Sequence, residues 1–467
     1  MRPPVGARNS LLCRHSGRVL CAIRNARPYF GKVPAEVRHV AAADRARRAR
    51  RGTRVVGRRS SRASRMNRRP RRFGGTSRAE HLAPLDPTTE ASVADYVRSL
   101  VRTGAALDTR IHPGDEMYGY ELGQPRRSPA TAAVFYFHTG HTISQMVERI
   151  VRWRFGGFEG VGRFFDFASG FGRFSRFLVG QLPPDRISVA EIEPAAVRFQ
   201  EAVFGVSGTI STREPESFRQ EGTFDVVFAC SFFSHLPPGR FESWLARLRR
   251  LLAPGGILIF STHGMDLLPP GEADRAAGIL FRTTSETERL DGTEYGTSYV
   301  TPEYVRSVAS RVTGRNDDLL AFPFGLCGFQ DVYVLLNPPL PADRDLRLPR
   351  VAWGGMDESA IEDGAVSVGG WATGEGDERP PDISLHLGDR LAEVSPGDGP
   401  PGARRRWAFS FPVSSVDPDD IVRIEATSAR GLSRIFVAET TRPYLPAGRL
   451  GRVYAGIGRR LRVFSRP

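Results

Sequence analysis

Cysteine is scarce in this chain. Four residues in 467 (Cys13, Cys21, Cys230, Cys327) are too few and too scattered for a disulfide framework or a zinc site. A reducing, cytoplasmic compartment and no resident metal are therefore expected. No run of eighteen apolar residues occurs, which argues against a transmembrane helix. Residues 11–23 are interrupted by Arg14, His15 and Arg18 and do not read as a secretory core. The phosphate-cradling pattern G-x-x-x-x-G-K-[ST] is absent, and so is any obvious nucleophile triad. Acids are nearly missing from residues 1–73, which hold 21 arginines and one lysine against two carboxylates. The formal charge of +15 thus belongs to a leader, and the remainder is slightly acidic. Charge gives no ground for a specific nucleic-acid partner.

Residues 1–80 read as a disordered leader, because low hydrophobicity with high net charge cannot offset the entropy of ordering. An electrostatic arm for nucleic acid or anionic lipid is one reading. A solvated leader is preferred, since aromatics are too few among its arginines to be interleaved for base stacking. The same composition imitates an organellar transit peptide, and a start of translation at Met66 is a further reading. Residues 446–467 are basic and mildly amphipathic, which suits weak contact with a membrane surface or a loose terminus.

What is present centres on residues 163–179. An apolar run closed by Asp166 is followed by a turn of small residues (Ala168, Ser169, Gly170, Gly172) and then by helical spacing. That order predicts the opening of a βαβ unit, with a flat polar ligand over the end of the first strand. The dinucleotide fingerprint fails, because Ser175 stands at its third small position; what matches is D-x-[GA]-x-G-x-G. A second strand ends in Glu191, roughly 20 residues past the loop, the spacing from which a carboxylate accepts from both ribose hydroxyls. Glu191, with Ile192 beside it, takes that role in preference to a plain exposed acid. Pro194 then opens a helix, and residues 208–212 suit a third strand. Residues 226–230 read as a buried strand, followed by an amphipathic helix through Phe241, Trp244, Leu245 and Leu248. Pro254-Gly255-Gly256 is expected to stop that helix before a strand at 257–261.

In order and spacing, residues 130–338 resemble the class I S-adenosylmethionine-dependent methyltransferases. Motif I is D-F-A-S-G-F-G, and the strongest match is F-D-V-V-F-A-C-S-F-F-S-H-L-P with the P-G-G unit after it. The resemblance implies an α/β fold, a doubly wound seven-stranded mostly parallel sheet, with S-adenosyl-L-methionine as cofactor. It implies cofactor contacts at Asp166, Ala168, Ser169, Gly170 and Gly172, and at Ala229, Cys230 and Ser231 after the fourth strand. Ala168 stands where the family has a glycine. An acid holding the adenine would be Glu214 or Glu216, neither well placed. His235 lies where family members face the methyl acceptor, so it is a general base or a framework residue. The segment 263–297, read as polar and irregular, would shape the acceptor pocket, with Tyr295 and Tyr299 on the substrate side.

The flanks complete the reading. Residues 81–160 form a helical cap, with stripes at Val93, Tyr96, Val97 and at Ile143, Met146, Val147, Ile150. Between the stripes, His138 and His141 read as surface histidines beside a turn. After a core domain at 161–340, the short alternating runs of 341–445 predict a small β-sandwich accessory domain. It is loosely similar to modules attached to bacterial cell-surface sugar enzymes. The expected activity is methyl transfer to oxygen or nitrogen of a small-molecule or saccharide acceptor. Its rivals are a catalytically silent binding protein of the same fold and an NAD-dependent oxidoreductase.

Overall fold

The computed structural model describes residues 87–440 apart from short stretches, the longest being 101–106. The leader at 1–80 and the tail at 446–467 lie outside the described residues. Three helices come first: α1 (Pro87–Leu100), α2 (Glu116–Leu122) and α3 (Pro129–Phe155). Ser128 and Thr131 form a capping box at the start of α3, Pro129 takes the first helical position, and left-handed Gly156 ends it. The helix runs unbroken through residues 136–141, so the expected turn is absent. Gly140 is retained in mid-helix because the next layer comes too close for a side chain: a Cβ there would lie 2.4 Å from the Arg173 carbonyl oxygen. His138 is buried, not on the surface.

The main sheet is built from β1 (Phe164–Phe167), β2 (Ile187–Glu191), β3 (Ser207–Ile210), β4 (Phe224–Ala229) and β5 (Leu252–Gly264). A hairpin of β6 (Ile279–Arg282) and β7 (Thr297–Val300) precedes β8 (Leu319–Leu326) and β9 (Gln330–Leu336). The spatial order is β3-β2-β1-β4-β5-β9-β8, with the first five parallel and β9 antiparallel to both neighbours. Helices α4 (Ser175–Leu178), α5 (Pro194–Phe204), α6 (Pro238–Arg249) and α7 (Pro302–Thr313) connect the strands. This is the doubly wound seven-stranded arrangement expected from the sequence. Strand order reverses between β1 and β4, which opens a crevice at their carboxyl ends. Two expectations fail here. Helix α6 ends at Arg249, and Pro254-Gly255-Gly256 lies inside the path of β5, where the pairing with β4 shifts register. The polar segment after β5 is not irregular throughout, because β7 pairs with the projecting end of β5 at His263 and Gly264 and β6 folds back on it.

Beyond residue 352 the chain forms β10 (Trp353–Glu362), β11 (Ala365–Thr373), β12 (Asp382–Leu387), β13 (Arg390–Ser395), β14 (Arg404–Pro412), β15 (Ile421–Thr427) and β16 (Ser433–Thr440). They make two antiparallel sheets, β10-β11-β14 and β13-β12-β15-β16. Val366, Phe409 and Phe411 of one meet Leu385, Ile424 and Ala426 of the other in a shared core. Strand β13 shows no alternation in the sequence because it is solvent-exposed along most of its length. The second sheet also packs on the helical cap. The Arg423 guanidinium lies 4.4 Å from the Tyr96 ring centroid, and the Tyr96 hydroxyl is 2.9 Å from Nδ1 of His138. Burial pushes His141, in α3, and His386, in β12, down to about 4.

One residue ties the cap to the sheet. Arg176 is 1% exposed. Its Nε donates to the Gly172 carbonyl (3.1 Å), and one terminal nitrogen donates to the carbonyls of Asp108 and Arg110 (3.0 Å each). The other reaches the Tyr136 hydroxyl at 3.3 Å, which itself donates to Asp115 at 2.6 Å. The rings of Tyr136, Phe137 and Phe204 surround the cation.

Arg176→Met keeps the backbone N–H that also serves the Gly172 carbonyl but leaves the Asp108 and Arg110 carbonyls without this donor, each worth about 1 kcal/mol or more when buried. Denaturant unfolding should show a loss of about 2 kcal/mol or more. Acid provides a second test. His141 and His386 take up protons in the unfolded chain near pH 6.5 but resist them when folded. Stability is therefore full above that pH and falls as pH drops toward 4, by about 1–2 kcal/mol per histidine at pH 5. Replacing both with Gln should flatten a plot of stability against pH over that range.

Candidate active site

The loop after β1 is held open by its neighbours. Asp166 is 2% exposed at the strand end, where it accepts from the Ser175 hydroxyl (2.7 Å), and burial pushes its carboxyl up to about 7. The side chain thus braces the loop from beneath. Ala168 has φ +56°, the left-handed conformation that explains a glycine at this place in the resembling family. Gln200 of α5 donates to the Ser169 hydroxyl (2.8 Å) and to the Gly170 carbonyl (2.9 Å). It was not singled out in the sequence, where a glutamine inside an apolar helix face was the only signal.

Gly170 and Gly172 divide the work. A Cβ on Gly170 would meet nothing within 4 Å, so its face opens on free space. On Gly172 it would fall 2.4 Å from the Phe204 ring and 3.0 Å from Gln200. The bare side of Gly172 is therefore taken up by the packing of α5 on the loop. Glu191 stands beside the open face. One carboxylate oxygen accepts from the Gly170 N–H (2.9 Å), the other from the Ile192 N–H (2.7 Å), and burial raises its pKa.

At the end of β4, Ala229 is enclosed in the core, so only its backbone can contribute. Cys230 and Ser231 are half-buried at the crevice, and Ser231 is left-handed with φ +54°. Glu214 is taken by Arg240 in an exposed ion pair, and the Glu216 side chain is exposed. Neither supplies an acid to the hollow.

The far side of the crevice is assembled by the β6–β7 hairpin. His235 Nδ1 lies 2.7 Å from the Gly296 carbonyl, so that nitrogen carries the proton and Nε2 is the basic one. Backbone bonds from Gly296 to the His235 carbonyl (2.9 Å) and from Ser298 to the Ser234 carbonyl (2.7 Å) knit the loop to β7. Tyr295 stacks on His235 at 4.7 Å between ring centroids, and Tyr299 packs on His263 at 5.5 Å. His263 lies 6.1 Å from His235 and was not singled out in the sequence. Burial lowers both imidazoles, His263 to about 3. Thr287 of the same insertion donates to Glu116 of α2 (3.2 Å), which joins the hairpin to the cap. Among the described residues no cluster of three or more His, Cys, Asp or Glu could hold a metal ion. No described helix is long and apolar enough to cross a membrane.

Residues 165–258 match a family model described as a methyltransferase domain. A malonyl-[acyl-carrier protein] O-methyltransferase of Prosthecochloris aestuarii is 28% identical over 142 residues, 29% of this chain and 52% of its own length. The chain thus spans about half the length of the curated relative it matches. Among solved structures, the plantazolicin methyltransferase BpumL with SAH aligns at 10% identity and a TM-score of 0.33, covering 54% of this chain and 97% of that one. The N-methyltransferase NodS of Bradyrhizobium japonicum with S-adenosyl-L-homocysteine aligns at 13% identity and a TM-score of 0.30, covering 48% and 99%.

The two glycines locate the hollow by experiment. Gly170→Ala should cost about 1 kcal/mol of stability for its positive φ and abolish nucleoside binding. Gly172→Ala should cost clearly more stability, because Phe204 must move. Thermal melts and calorimetry with S-adenosylhomocysteine read the two effects apart.

Proposed function

We propose that this chain uses its methyltransferase domain to move a methyl group from S-adenosylmethionine to a small-molecule or saccharide acceptor, at oxygen or nitrogen. The observation that carries this reading is the Glu191 carboxylate, braced on the Gly170 N–H beside open space at the switch point of the sheet. The residues fit such a nucleoside: an acid against the glycine bend, a bare backbone face, and a polar strand end at Cys230 and Ser231.

When bound, the cofactor supplies a methyl carbon already activated by its sulfonium. The chain then has to fix donor and nucleophile in line rather than provide a covalent intermediate. Glu191 would accept from the ribose hydroxyls, and Gly170 would admit the nucleoside against its backbone. Asp166 and Gln200 keep the loop in shape from below. On the far side, His235 takes the acceptor proton at Nε2, a nitrogen left basic because Nδ1 is committed to Gly296. Its lowered pKa keeps it unprotonated at neutral pH. Tyr295 and Tyr299 flank the space where the acceptor would lie. The scarcity of cysteine suits a reducing compartment such as the cytoplasm.

Calorimetry comparing S-adenosylhomocysteine with NAD tests the cofactor directly, and NAD binding alone would end the methyltransferase reading. Glu191→Ala should weaken S-adenosylhomocysteine by at least about 1 kcal/mol, roughly fivefold or more, through loss of a charge-assisted two-point contact. An unchanged dissociation constant retires the ribose role.

A further inference from the structure

The reading of His235 as acceptor base leaves unexplained a buried polar chain that crosses three strands beneath it. The Ser231 N–H donates to the Ser261 hydroxyl (2.8 Å), and that hydroxyl donates to Oε1 of Gln330 (2.6 Å). The Gln330 amide turns its nitrogen to Nε2 of His263 (3.2 Å) and to the Ser231 hydroxyl (3.1 Å), which also lies 3.2 Å from Oε1. Ser261, His263 and Gln330 are all buried. The Ser231 carbonyl in turn accepts from the Ser234 hydroxyl (2.8 Å), and the His235 N–H closes on the Phe232 carbonyl (3.1 Å). The turn from Ser231 to His235 is thus pinned at its first residue, whose left-handed φ of +54° is unfavourable for a serine without such support.

We propose that Gln330 is the positioning residue of the acceptor side: it clamps the turn that carries His235 and fixes the tautomer of the neighbouring imidazole, His263. This rests on the reading of His235 as the base. The logic is one of donors and acceptors. An amide N–H directed at Nε2 of His263 requires a lone pair there, so the ring proton sits on Nδ1, a buried nitrogen that makes no hydrogen bond of its own among the described residues. A ring so committed stays neutral and keeps one orientation against His235, 6.1 Å away. Leucine, of similar bulk, supplies neither hydrogen bond, and asparagine is one methylene short of reaching both strands.

The test needs no acceptor. In the full chain labelled with 15N-histidine, with signals assigned from His235→Asn and His263→Asn variants, His263 should show a single tautomer protonated on Nδ1. In Gln330→Leu that signal should give way to a mixture of tautomers, and the His235 resonance should shift. His138, bonded to Tyr96 in the distant cap, should keep its wild-type signal and so report an intact fold. A wild-type His263 protonated on Nε2 overturns the proposal, and this holds even if Gln330→Leu fails to fold. Unchanged His235 and His263 signals in a folded Gln330→Leu overturn it as well. Failure of the wild type to bind S-adenosylhomocysteine, by contrast, defeats the functional reading and leaves the tautomer result standing on its own.

Discussion

The guanidinium of Arg176 is the point on which the cap and the crevice depend. A cation with 1% exposure must have its donors satisfied, and here they reach backbone 66 and 68 positions upstream as well as the glycine bend four residues before it. Arginine alone among the side chains offers a planar fork of donors with faces that accept aromatic rings. The rings of Tyr136 and Phe137 belong to α3 and Phe204 to α5, so cap, loop and sheet helix share one charge. Because Gly172 gives its carbonyl to Arg176 and its empty side to Phe204, the bend is shaped by what lies behind it. The open face over Gly170 is the consequence.

The two walls of the crevice are built alike. Each strand end carries a non-glycine residue in the left-handed region, Ala168 after β1 and Ser231 after β4. Each is steadied by a glutamine amide from a neighbouring element: Gln200 through Ser169 and Gln330 directly on Ser231. Left-handed alanine or serine costs about 1–2 kcal/mol, which persists only where surrounding bonds fix the backbone. The place where strain is held is the place where strand order reverses and a ligand can approach. On the wall after β4, the long β5 and its hairpin add what the sheet alone lacks, a pair of imidazoles under tyrosine rings.

Much of the fold was legible because it is written locally. The strand runs ending at Asp166, Glu191 and Ala229 are apolar and short, and each is followed by turn residues or a proline-started helix. Glu191 was legible from spacing, and the structure puts its carboxylate against the glycine bend. Other features misled for equally physical reasons. Pro254-Gly255-Gly256 carries every mark of a helix stop, yet it sits in β5, because the helix had already ended at Arg249. Gly140 between two histidines imitates a turn, yet it is the narrow point where α3 crosses Arg173. Glu214 stood where an adenine-holding acid was sought and is spent on Arg240.

The sequence by itself determined the order of the five parallel strands, the glycine bend and the acid that faces it. Hydrophobic period and turn chemistry act over a few residues and can be read there. Only the tertiary structure decided that Gly172 packs while Gly170 stays open, that His138 is buried under Tyr96, and that His263 and Gln330 stand behind His235. Those outcomes rest on contacts between residues tens of positions apart, such as Ser231 and Gln330, 99 apart. No local pattern encodes such a contact, because it exists only once the sheet has brought both ends together.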